Sequence, residues 1–215
     1  MPSHYGEHEI IIPFFRGVNN NDLNFLDIGA NDGVYISNTW DLGLLGWGGC
    51  CIEPSKKAFS ALSKNYENNK KVHLFNYGIS NYDGILKFYE SGNWAGRDDV
   101  PSSLLGSLYE SHKNGFYGIE WEETECKFTT FEKFIGESPI KIFDFISIDV
   151  ERHDYIVLSQ IDLLKVGCKL ICIEHAGDNN KIELYRSYCK KYGMLEIHRT
   201  VDNILFSIGG ITSWS

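Results

Sequence analysis

The amino-acid sequence predicts an α/β fold with a seven-stranded, mostly parallel sheet, a terminal antiparallel hairpin and helices on both faces. Short apolar runs alternate with segments of helical periodicity, a pattern typical of parallel strands joined by crossover helices. The strand candidates are residues 24–28, 49–52, 72–76, 143–149, 169–174, 195–199 and 203–208. Because only residues 200–202 connect the last two candidates, these two strands must pair antiparallel.

Helical segments follow most of the strand candidates. Residues 57–66 place Phe59, Leu62 and Tyr66 on one face at helical spacing. Residues 182–192 place aliphatic and tyrosine side chains on one face in the same way. Such amphipathic helices cover a sheet with their apolar side, so the sequence predicts helices packed on the sheet.

Length and composition limit the possible functions. With 215 residues, 43% of them hydrophobic, the chain suits one compact domain spanning residues 1–215. Its net charge of −9 disfavours nucleic acid as the main partner, because a phosphate backbone repels an acidic surface. No apolar run is long enough to span a bilayer, and the N-terminal residues show no signal pattern.

The six cysteines indicate a reducing compartment. None of them forms a C-x-x-C pair, and two lie in or beside an apolar run, where cysteine packs as a small hydrophobic residue. We therefore expect free, buried thiols and a cytoplasmic location.

The first candidate ligand site follows the first strand. This apolar run stops at Asp27 and opens into a turn with Gly29 and Gly33, which lack a Cβ atom and allow a ligand to approach the backbone. Dinucleotide sites carry a further glycine between these two, against which a pyrophosphate packs. Asn31 and Asp32 stand there instead, and their polar side chains suit a ligand with an amino-acid tail.

A carboxylate at the end of the second strand completes this site. Glu53 stands twenty residues after Gly33. An acidic side chain at that position accepts hydrogen bonds from both ribose hydroxyls in nucleoside sites. A ribose together with an amino-acid tail describes S-adenosylmethionine (SAM). The alternative is an ordinary strand-to-helix turn in which the glycines serve packing alone.

A second motif, in residues 143–154, carries candidates for catalysis. The apolar strand stops at Asp149, so Asp149 and Glu151 are expected at the carboxyl edge of the sheet, where open α/β sheets bind ligands. His153 follows near the start of a helix, where the helix dipole disfavours a charged imidazolium. A neutral His153 is able to accept the proton of a substrate hydroxyl. The alternative is a surface histidine without a catalytic role.

Glu174 and His175 end the neighbouring strand and are expected at the same edge. With Asp149 they supply two carboxylates and an imidazole, a ligand set for a divalent cation such as Mg²⁺ or Mn²⁺. Such a cation lowers the pKa of a bound substrate hydroxyl. Without a cation, His175 is a second candidate base and the carboxylates favour a cationic substrate. The alternative is a polar rim in which His175 hydrogen-bonds locally.

Two segments fall outside the alternation of strands and helices. Residues 92–126 are rich in glycine and aromatic residues, and a segment of this length between strands suits a lid over the substrate. The alternative is a peripheral hairpin and helix that pack the aromatic side chains inward. Residues 3–9, which include His4 and His8, are expected to pack across the ligand edge of the sheet rather than to bind a metal.

Seven stretches of sequence link the chain to a known family. They read, in order, SHYGEHEIIIPFF, FLDIGANDGVYISNTW, GWGGCCIEPSKKAFSALSKNY, NYGISNYDG, TTFEKF, FDFISIDVERHDYIVL and NILFSI. Through these stretches the chain resembles the FkbM family of SAM-dependent methyltransferases over most of its length, except residues 92–126. The resemblance implies a class I methyltransferase (Rossmann-like) fold and methyl transfer, usually to oxygen.

Carried over by position, the resemblance implies a set of cofactor contacts. Gly29, Asn31 and Gly33 would line the methionine end of SAM, with Ser37 helping to hold it. The other cofactor-binding candidates are Asp27 beside the turn, Glu53 on the ribose, Pro54 and Ser55 next to it, Asn76 and Gly78 near the adenine, and Asp149 near the transferring methyl group. The family usually has glycine where this chain has Arg152, whose cation would narrow the pocket or select an anionic or sugar substrate.

We therefore expect a SAM-dependent O-methyltransferase that acts on a hydroxyl of a sugar, a glycan or a small-molecule natural product. Two other classes stay open. A non-catalytic module would retain the fold but have a blocked cofactor pocket. A nicotinamide-dependent oxidoreductase would share most of the sheet, although the missing glycine and the terminal hairpin disfavour it.

Overall fold

The computed structural model describes residues 3–94 and 100–214, which form two sheets with helices around the larger one. The strands are β1 (Asn24–Ile28), β2 (Gly48–Ile52), β3 (Val72–Phe75), β4 (Gly78–Ile79), β5 (Gly84–Trp94), β6 (Gly106–Ser107), β7 (Ile119–Thr129), β8 (Phe145–Ile148), β9 (Leu170–Glu174), β10 (Met194–Arg199) and β11 (Asn203–Ile208). The helices are α1 (His8–Phe14), α2 (Trp40–Leu44), α3 (Lys56–Asn65), α4 (Phe131–Glu137), α5 (Asp154–Leu158) and α6 (Asn179–Lys190), with 3₁₀ helices at Asn20–Asp22 and Glu110–Gly115. None of the helices in these two ranges combines the length and the apolar character needed to cross a bilayer.

The larger sheet has seven strands in the order β10–β11–β9–β8–β1–β2–β3. Neighbouring strands are parallel, except that β11 runs antiparallel to both β9 and β10. The reversal follows from the short connection at residues 200–202, which leaves no room for a crossover. The predicted sheet and its terminal hairpin are confirmed, and the strand ends differ from the prediction by at most two residues.

Alternating side chains form a core on each face of this sheet. On one face, Leu26 and Ile146 pack with residues of α4, α5 and α6. On the other face, Phe25 and Phe145 pack with residues of α1, α2 and α3. Because successive residues of a strand point to opposite faces, each strand contributes to both cores, and the predicted helices on both faces are confirmed. All six cysteines are buried free thiols.

The smaller sheet contains β4, β7, β5 and β6 in that order. Strands β5 and β7 pair antiparallel, so the predicted insertion at residues 92–126 is the outer part of a longer hairpin that begins at Gly84. Strand β4 pairs in parallel with β7 and joins this hairpin to the loop after β3. Residues 95–99, which include Gly96 of the predicted lid, lie outside the described residues.

The N-terminal segment packs across the carboxyl edge of the larger sheet, as expected. Glu7 is fully buried there. Its carboxylate accepts hydrogen bonds from Thr200 Oγ1 (2.9 Å), Asn203 Nδ2 (2.9 Å) and the backbone N–H of Tyr5 (3.0 Å). Burial by itself raises the pKa of Glu7, but the hydrogen bonds outweigh burial and hold the pKa below its usual value. One carboxylate thus joins the start of the chain to the turn between β10 and β11.

We predict that Glu7→Ala lowers the free energy of unfolding by about 1–3 kcal/mol, because it leaves the buried Asn203 amide without its acceptor. Glu9→Ala is the matched control, since Glu9 is exposed in the same segment and its loss should cost less than about 0.5 kcal/mol. Urea unfolding of both variants measures the difference. Equal stability of the two variants would show that the buried carboxylate does not anchor the segment.

Candidate functional site

The carboxyl ends of β1, β2, β8 and β9 open into a cavity of about 490 Å³, which the smaller sheet and residues 103–116 close from another side. This volume lies in the range for small-molecule and cofactor sites, and the carboxyl edge of a parallel sheet is their usual place. Eleven of the predicted site residues line the cavity: Asp27, Gly29, Asn31, Ser37, Glu53, Pro54, Ser55, Gly78, Asp149, His153 and Glu174.

Gly29 brings the turn after β1 against the end of β8. Its φ is +91°, and a Cβ atom there would lie 1.7 Å from the backbone carbonyl oxygen of Asp149. Because this contact involves main-chain atoms, a side chain fits only if the backbone moves. The turn and the end of β8 therefore meet directly at the cavity.

The carboxylate of Glu53, buried at the end of β2, is held by two backbone donors. Its Oε2 accepts a hydrogen bond from the N–H of Asn31 (2.9 Å), and its Oε1 accepts one from the N–H of Ser55 (2.7 Å). Burial raises the pKa of Glu53 to about 7; the two N–H groups oppose the shift, and the Glu90 and Asp27 carboxylates add to it. Since Glu53 lines the cavity, its other lone pairs can accept hydrogen bonds from ligand hydroxyls.

The side chain of Asn31 hydrogen-bonds to the segment at residues 103–116, which closes the cavity from another side. Its Nδ2 donates hydrogen bonds to the backbone carbonyl oxygens of Ser103 (2.7 Å) and Leu104 (3.0 Å). The neighbouring Asp32 carboxylate accepts hydrogen bonds from two backbone N–H groups of its own loop. Both polar side chains that stand in place of the dinucleotide glycine therefore make contacts within the protein and fix the turn beside the hairpin.

Asp27 and Ser37 hold the loop between β1 and α2. The Oδ2 of Asp27 accepts a hydrogen bond from Thr39 Oγ1 (2.6 Å). Burial raises the pKa of Asp27 to about 6, although this hydrogen bond opposes the shift. Ser37 Oγ accepts hydrogen bonds from the backbone N–H groups of Thr39 and Trp40 (3.1 Å each). Asp27 and Ser37 both remain on the cavity wall, where the sequence analysis expected them.

Three predicted site residues do not line the cavity. Gly33 has a φ of +76°, and a Cβ atom there would lie 2.5 Å from Leu62 Cδ1 of α3, so this glycine serves packing. Asn76 Nδ2 donates hydrogen bonds to the backbone carbonyl oxygens of residues 53 and 54 (2.9 and 3.3 Å) and so shapes the loop after β2. His175 is the third, and its position changes the predicted metal set.

Three carboxyl groups meet where β8 and β9 end. One oxygen from each of Asp149, Glu151 and Glu174 lies within 4.8 Å of the other two. His175 is not in this group, and its Nδ1 instead accepts a hydrogen bond from the N–H of Gly177 (2.9 Å). His175 follows the last residue of β9 and does not line the cavity, whereas Glu174 does. The predicted set is therefore corrected: Glu151, turned inward at a φ of +51°, takes the place of His175.

Little positive charge balances these carboxyl groups. Burial raises the pKa values of Asp149 and Glu174 well above their usual range, and neighbouring carboxylates raise them further. Lys181 opposes these shifts, but its Nζ lies 3.0 Å from the carboxylate of Asp154. Oε2 of Glu174 is buried and has no hydrogen-bond partner. Among the described side chains, the positive charge near these three carboxyl groups is therefore too small to balance their negative charge.

His153, the predicted base, connects the hairpin segment to the core. Its Nδ1 lies 3.0 Å from the hydroxyl of Tyr109, and its Nε2 lies 3.1 Å from Ser80 Oγ. Burial lowers the pKa of His153, although the Asp154 carboxylate opposes the shift, so the ring is neutral near pH 7. Both ring nitrogens are engaged, and a substrate hydroxyl would have to displace one of these partners to reach the ring.

His112 and Glu151 also line the cavity; the sequence analysis expected Glu151 at this edge without a role of its own, and it did not single out His112. His112 lies in the 3₁₀ helix Glu110–Gly115, buried against the rings of Phe116 and Trp121. Its Nε2 is 3.1 Å from Glu151 Oε2, without the alignment of a hydrogen bond. No sequence signal marks His112, because its neighbours in the cavity are distant in the chain. Glu151 was detectable, since it stands two residues after the strand-ending carboxylate.

Arg152 is an exposed residue at the edge of the cavity. Its φ of +80° lies in the left-handed region that favours glycine, the residue that the FkbM resemblance leads us to expect there. An arginine in this conformation stores backbone strain. The place of this basic residue beside an acidic cavity makes Arg152 a candidate for substrate selection.

Comparisons with known proteins agree with this architecture. A sequence model of the methyltransferase FkbM domain matches residues 27–206. No curated protein sequence matches the chain. The chain is similar in structure to precorrin-6y C5,15-methyltransferase from Geobacter metallireducens, with a TM-score of 0.50 and 9% identity over 93% of this chain and 86% of that chain. This likeness shows the class I methyltransferase fold.

A second solved structure, the N-terminal domain of human METTL16 in complex with SAH, is also similar. Its TM-score is 0.45 at 13% identity, over 90% of this chain and 64% of that chain. This chain therefore spans less than two thirds of that domain.

We predict that Glu53→Gln changes the pH dependence of stability in the ligand-free protein. The raised pKa of Glu53 means that the folded state favours the protonated carboxyl, so wild-type stability falls as pH rises from about 5 to about 8. The variant lacks this titration, and its stability relative to wild type should be on the order of 1–3 kcal/mol more favourable at pH 8 than at pH 5.

Urea unfolding at the two pH values measures this difference. Any hydrogen bond that the amide fails to reproduce lowers stability at both pH values and cancels in the comparison. Glu67→Gln, an exposed position, is the matched control and should keep the wild-type pH dependence. The same pH dependence in Glu53→Gln and wild type would contradict the account of this carboxyl.

Proposed function

Because the chain belongs to the FkbM family of SAM-dependent methyltransferases, we propose that it transfers the methyl group of SAM to a hydroxyl oxygen of a sugar, a glycan or a small-molecule natural product. One observation carries the proposal. Glu53 and Asp149 stand at the ends of the two strands that flank β1, and both line one cavity. One carboxylate suits the ribose of the cofactor, and the other suits the hydroxyl of the acceptor.

The residues of this cavity fit SAM. Two backbone N–H groups orient Glu53, whose other lone pairs suit two ribose hydroxyls. Gly29 holds its turn close to the cavity, where backbone atoms are open to a ligand. When bound, SAM supplies an electrophilic methyl group on a sulfonium ion. The residues assigned to its binding are Asp27, Gly29, Asn31, Ser37, Glu53, Pro54, Ser55 and Gly78.

Asp149 meets the acceptor in this proposal. Its carboxylate would accept the hydrogen bond of the acceptor hydroxyl, hold the oxygen in line with the methyl group, and take the hydroxyl proton as the oxygen gains the methyl group. Alignment of this kind accounts for a large part of the rate in transfer reactions, because the reacting atoms must approach within about 3–3.5 Å. The closeness of Asp149 to the Gly29 turn supports this role, since the turn borders the cofactor site.

The charge of the protein and the residues that line the cavity support an acceptor that is not a nucleic acid. The net charge of −9 and the three cavity carboxyls repel a nucleic-acid backbone. Leu104, Leu105 and Phe128 give another wall apolar surface that suits the face of a sugar ring or a small molecule. Arg152 adds one cation for an anionic group on the acceptor. The free cysteines favour a cytoplasmic setting for the reaction.

Residues 92–126 act as a lid in this proposal. Several contacts hold the described part of this segment to the core. The Asn31 amide donates to the carbonyl oxygens of Ser103 and Leu104, the Ser107 hydroxyl donates to the carbonyl oxygen of Glu151, and the Tyr109 hydroxyl lies 3.0 Å from His153 Nδ1. An opening of the lid breaks such hydrogen bonds, each of which contributes about 0.5–1.5 kcal/mol. Closing restores them and excludes water from the cavity.

Transfer of a tritiated methyl group from SAM to defined acceptor pools tests the proposed function. The pools are glycans, small hydroxylated natural products, peptides and total RNA. We expect label in a glycan or small-molecule pool, bound through an ether oxygen by mass spectrometry. Label in RNA or peptide would overturn the acceptor class, and SAM binding without transfer to any pool would indicate a non-catalytic module.

We predict that Asp149→Asn lowers kcat by at least about 100-fold and changes the Kd for SAM by only a few fold, because the proposal assigns Asp149 to the acceptor. The amide keeps the shape of the side chain, so circular dichroism should report an intact fold. Glu125→Gln on β7, an exposed position outside the cavity lining, is the control and should retain wild-type turnover. Near-native turnover in Asp149→Asn would remove this residue from the catalytic set.

A further inference from the structure

We propose that Asp149, Glu151 and Glu174 bind one divalent cation of the Mg²⁺ or Mn²⁺ class. The three residues come from the ends of two neighbouring strands, and each offers a carboxylate oxygen to the same small volume. In the described part of the chain, no other set of three histidine, cysteine or acidic side chains converges in this way. The inference deepens the proposed function, because the cation would lie where the acceptor is expected.

The distances suit a single ion. Oxygen ligands around an octahedral Mg²⁺ ion lie about 3 Å apart when adjacent and about 4 Å apart when opposite, because each metal–oxygen bond is about 2.1 Å. The three carboxylate oxygens lie within 4.8 Å of one another. A small rotation of the side chains brings them onto one coordination sphere.

The charge around the three carboxylates calls for a cation. Lys181 is 3.0 Å from Asp154 Oδ2, so its charge is shared with a fourth carboxylate. Of the three carboxyl groups, the one ion pair with His112 is that of Glu151, whose Oε2 lies 3.1 Å from Nε2 of the ring. Carboxylates at this separation repel one another, and a dication would convert this repulsion into attraction.

A second observation concerns the hydrogen bonding of the same group of carboxyls. Oε2 of Glu174 is buried and lacks a hydrogen-bond partner among the described residues. A buried polar atom without a partner is costly and uncommon in native proteins, and a carboxylate oxygen is more costly than a neutral group. Coordination to a cation would satisfy this atom.

The donor set identifies the class of metal. Three carboxylates are hard oxygen ligands, which favour Mg²⁺ and Mn²⁺ over metals that prefer thiolate or imidazole. Three protein ligands leave about three positions of an octahedron for water or acceptor oxygens. A cation there would lower the pKa of a bound hydroxyl. This catalytic role rests on the proposed methyl transfer, whereas the binding of the cation does not.

Electron paramagnetic resonance of Mn²⁺ tests the site without cofactor or acceptor. The full chain is freed of metal with a chelator and titrated with Mn²⁺, and Mg²⁺ is then added as competitor. We expect one bound Mn²⁺ per chain that Mg²⁺ displaces. Glu151→Gln and Glu174→Gln should each weaken binding at least 10-fold, whereas His175→Asn should change it less than 2-fold.

Both glutamine variants should fold, since each removes a charge from a crowded acidic group, and thermal unfolding in metal-free buffer checks this.

Lack of Mn²⁺ binding by wild type up to about 1 mM, the weak end for oxygen-ligand sites, would overturn the proposal. An equal loss of Mn²⁺ affinity in His175→Asn and Glu151→Gln would overturn the assignment of Glu151 as a metal ligand. Binding of methylammonium but not of Mn²⁺ would show that the carboxyls recognise a cationic acceptor instead. A failure of methyl transfer with Mn²⁺ binding intact would count against the proposed function alone.

Discussion

The contact between Gly29 and the backbone carbonyl of Asp149 is the constraint on which the cavity depends. A Cβ atom at Gly29 would lie 1.7 Å from that oxygen, so the turn after β1 approaches the end of β8 at a distance that no side chain at residue 29 permits. The same turn donates the N–H of Asn31 to the carboxylate of Glu53, and Asp149 lies beside it. Residues from three strand ends thus come together around one ligand site, as is typical at the carboxyl edge of an open α/β sheet.

The strand ends that meet at the cavity bring several acidic side chains into a buried space, and their burial changes the stability of the fold. Burial raises the pKa values of Asp27, Glu53, Asp149 and Glu174, which means that their charged forms lower the stability of the ligand-free fold. Hydroxyl donors and a cation would stabilise these charged forms. Without a ligand, these buried carboxyls therefore lower the stability of the fold, a cost that is common at functional sites.

The sequence predicted the larger sheet well because its signals are local. Apolar runs mark buried parallel strands, and a three-residue connection permits only an antiparallel hairpin. The place of Glu53 on the cavity wall was predictable from its spacing to the glycine turn, and the family match over residues 27–206 agrees with the resemblance. The features that the sequence did not predict depend on distant partners: Gly33 packs on Leu62 outside the cavity lining, and His112 approaches Glu151 from a segment without a recognisable pattern. The hairpin begins at Gly84, earlier than the predicted start at residue 92, because β5 continues through Gly92 to Trp94 and pairs with β7.

The central claim is that the cavity at these strand ends binds SAM. Thermal unfolding of the full chain with SAM, SAH or NAD tests it directly. At a ligand concentration near one hundred times Kd, binding stabilises the folded state by about 2.7 kcal/mol. For a domain of this size, that corresponds to a rise in Tm of about 5–10 °C. We predict this rise with SAM and SAH and none with NAD. No rise with SAM and SAH, or an equal rise with NAD, would contradict the account.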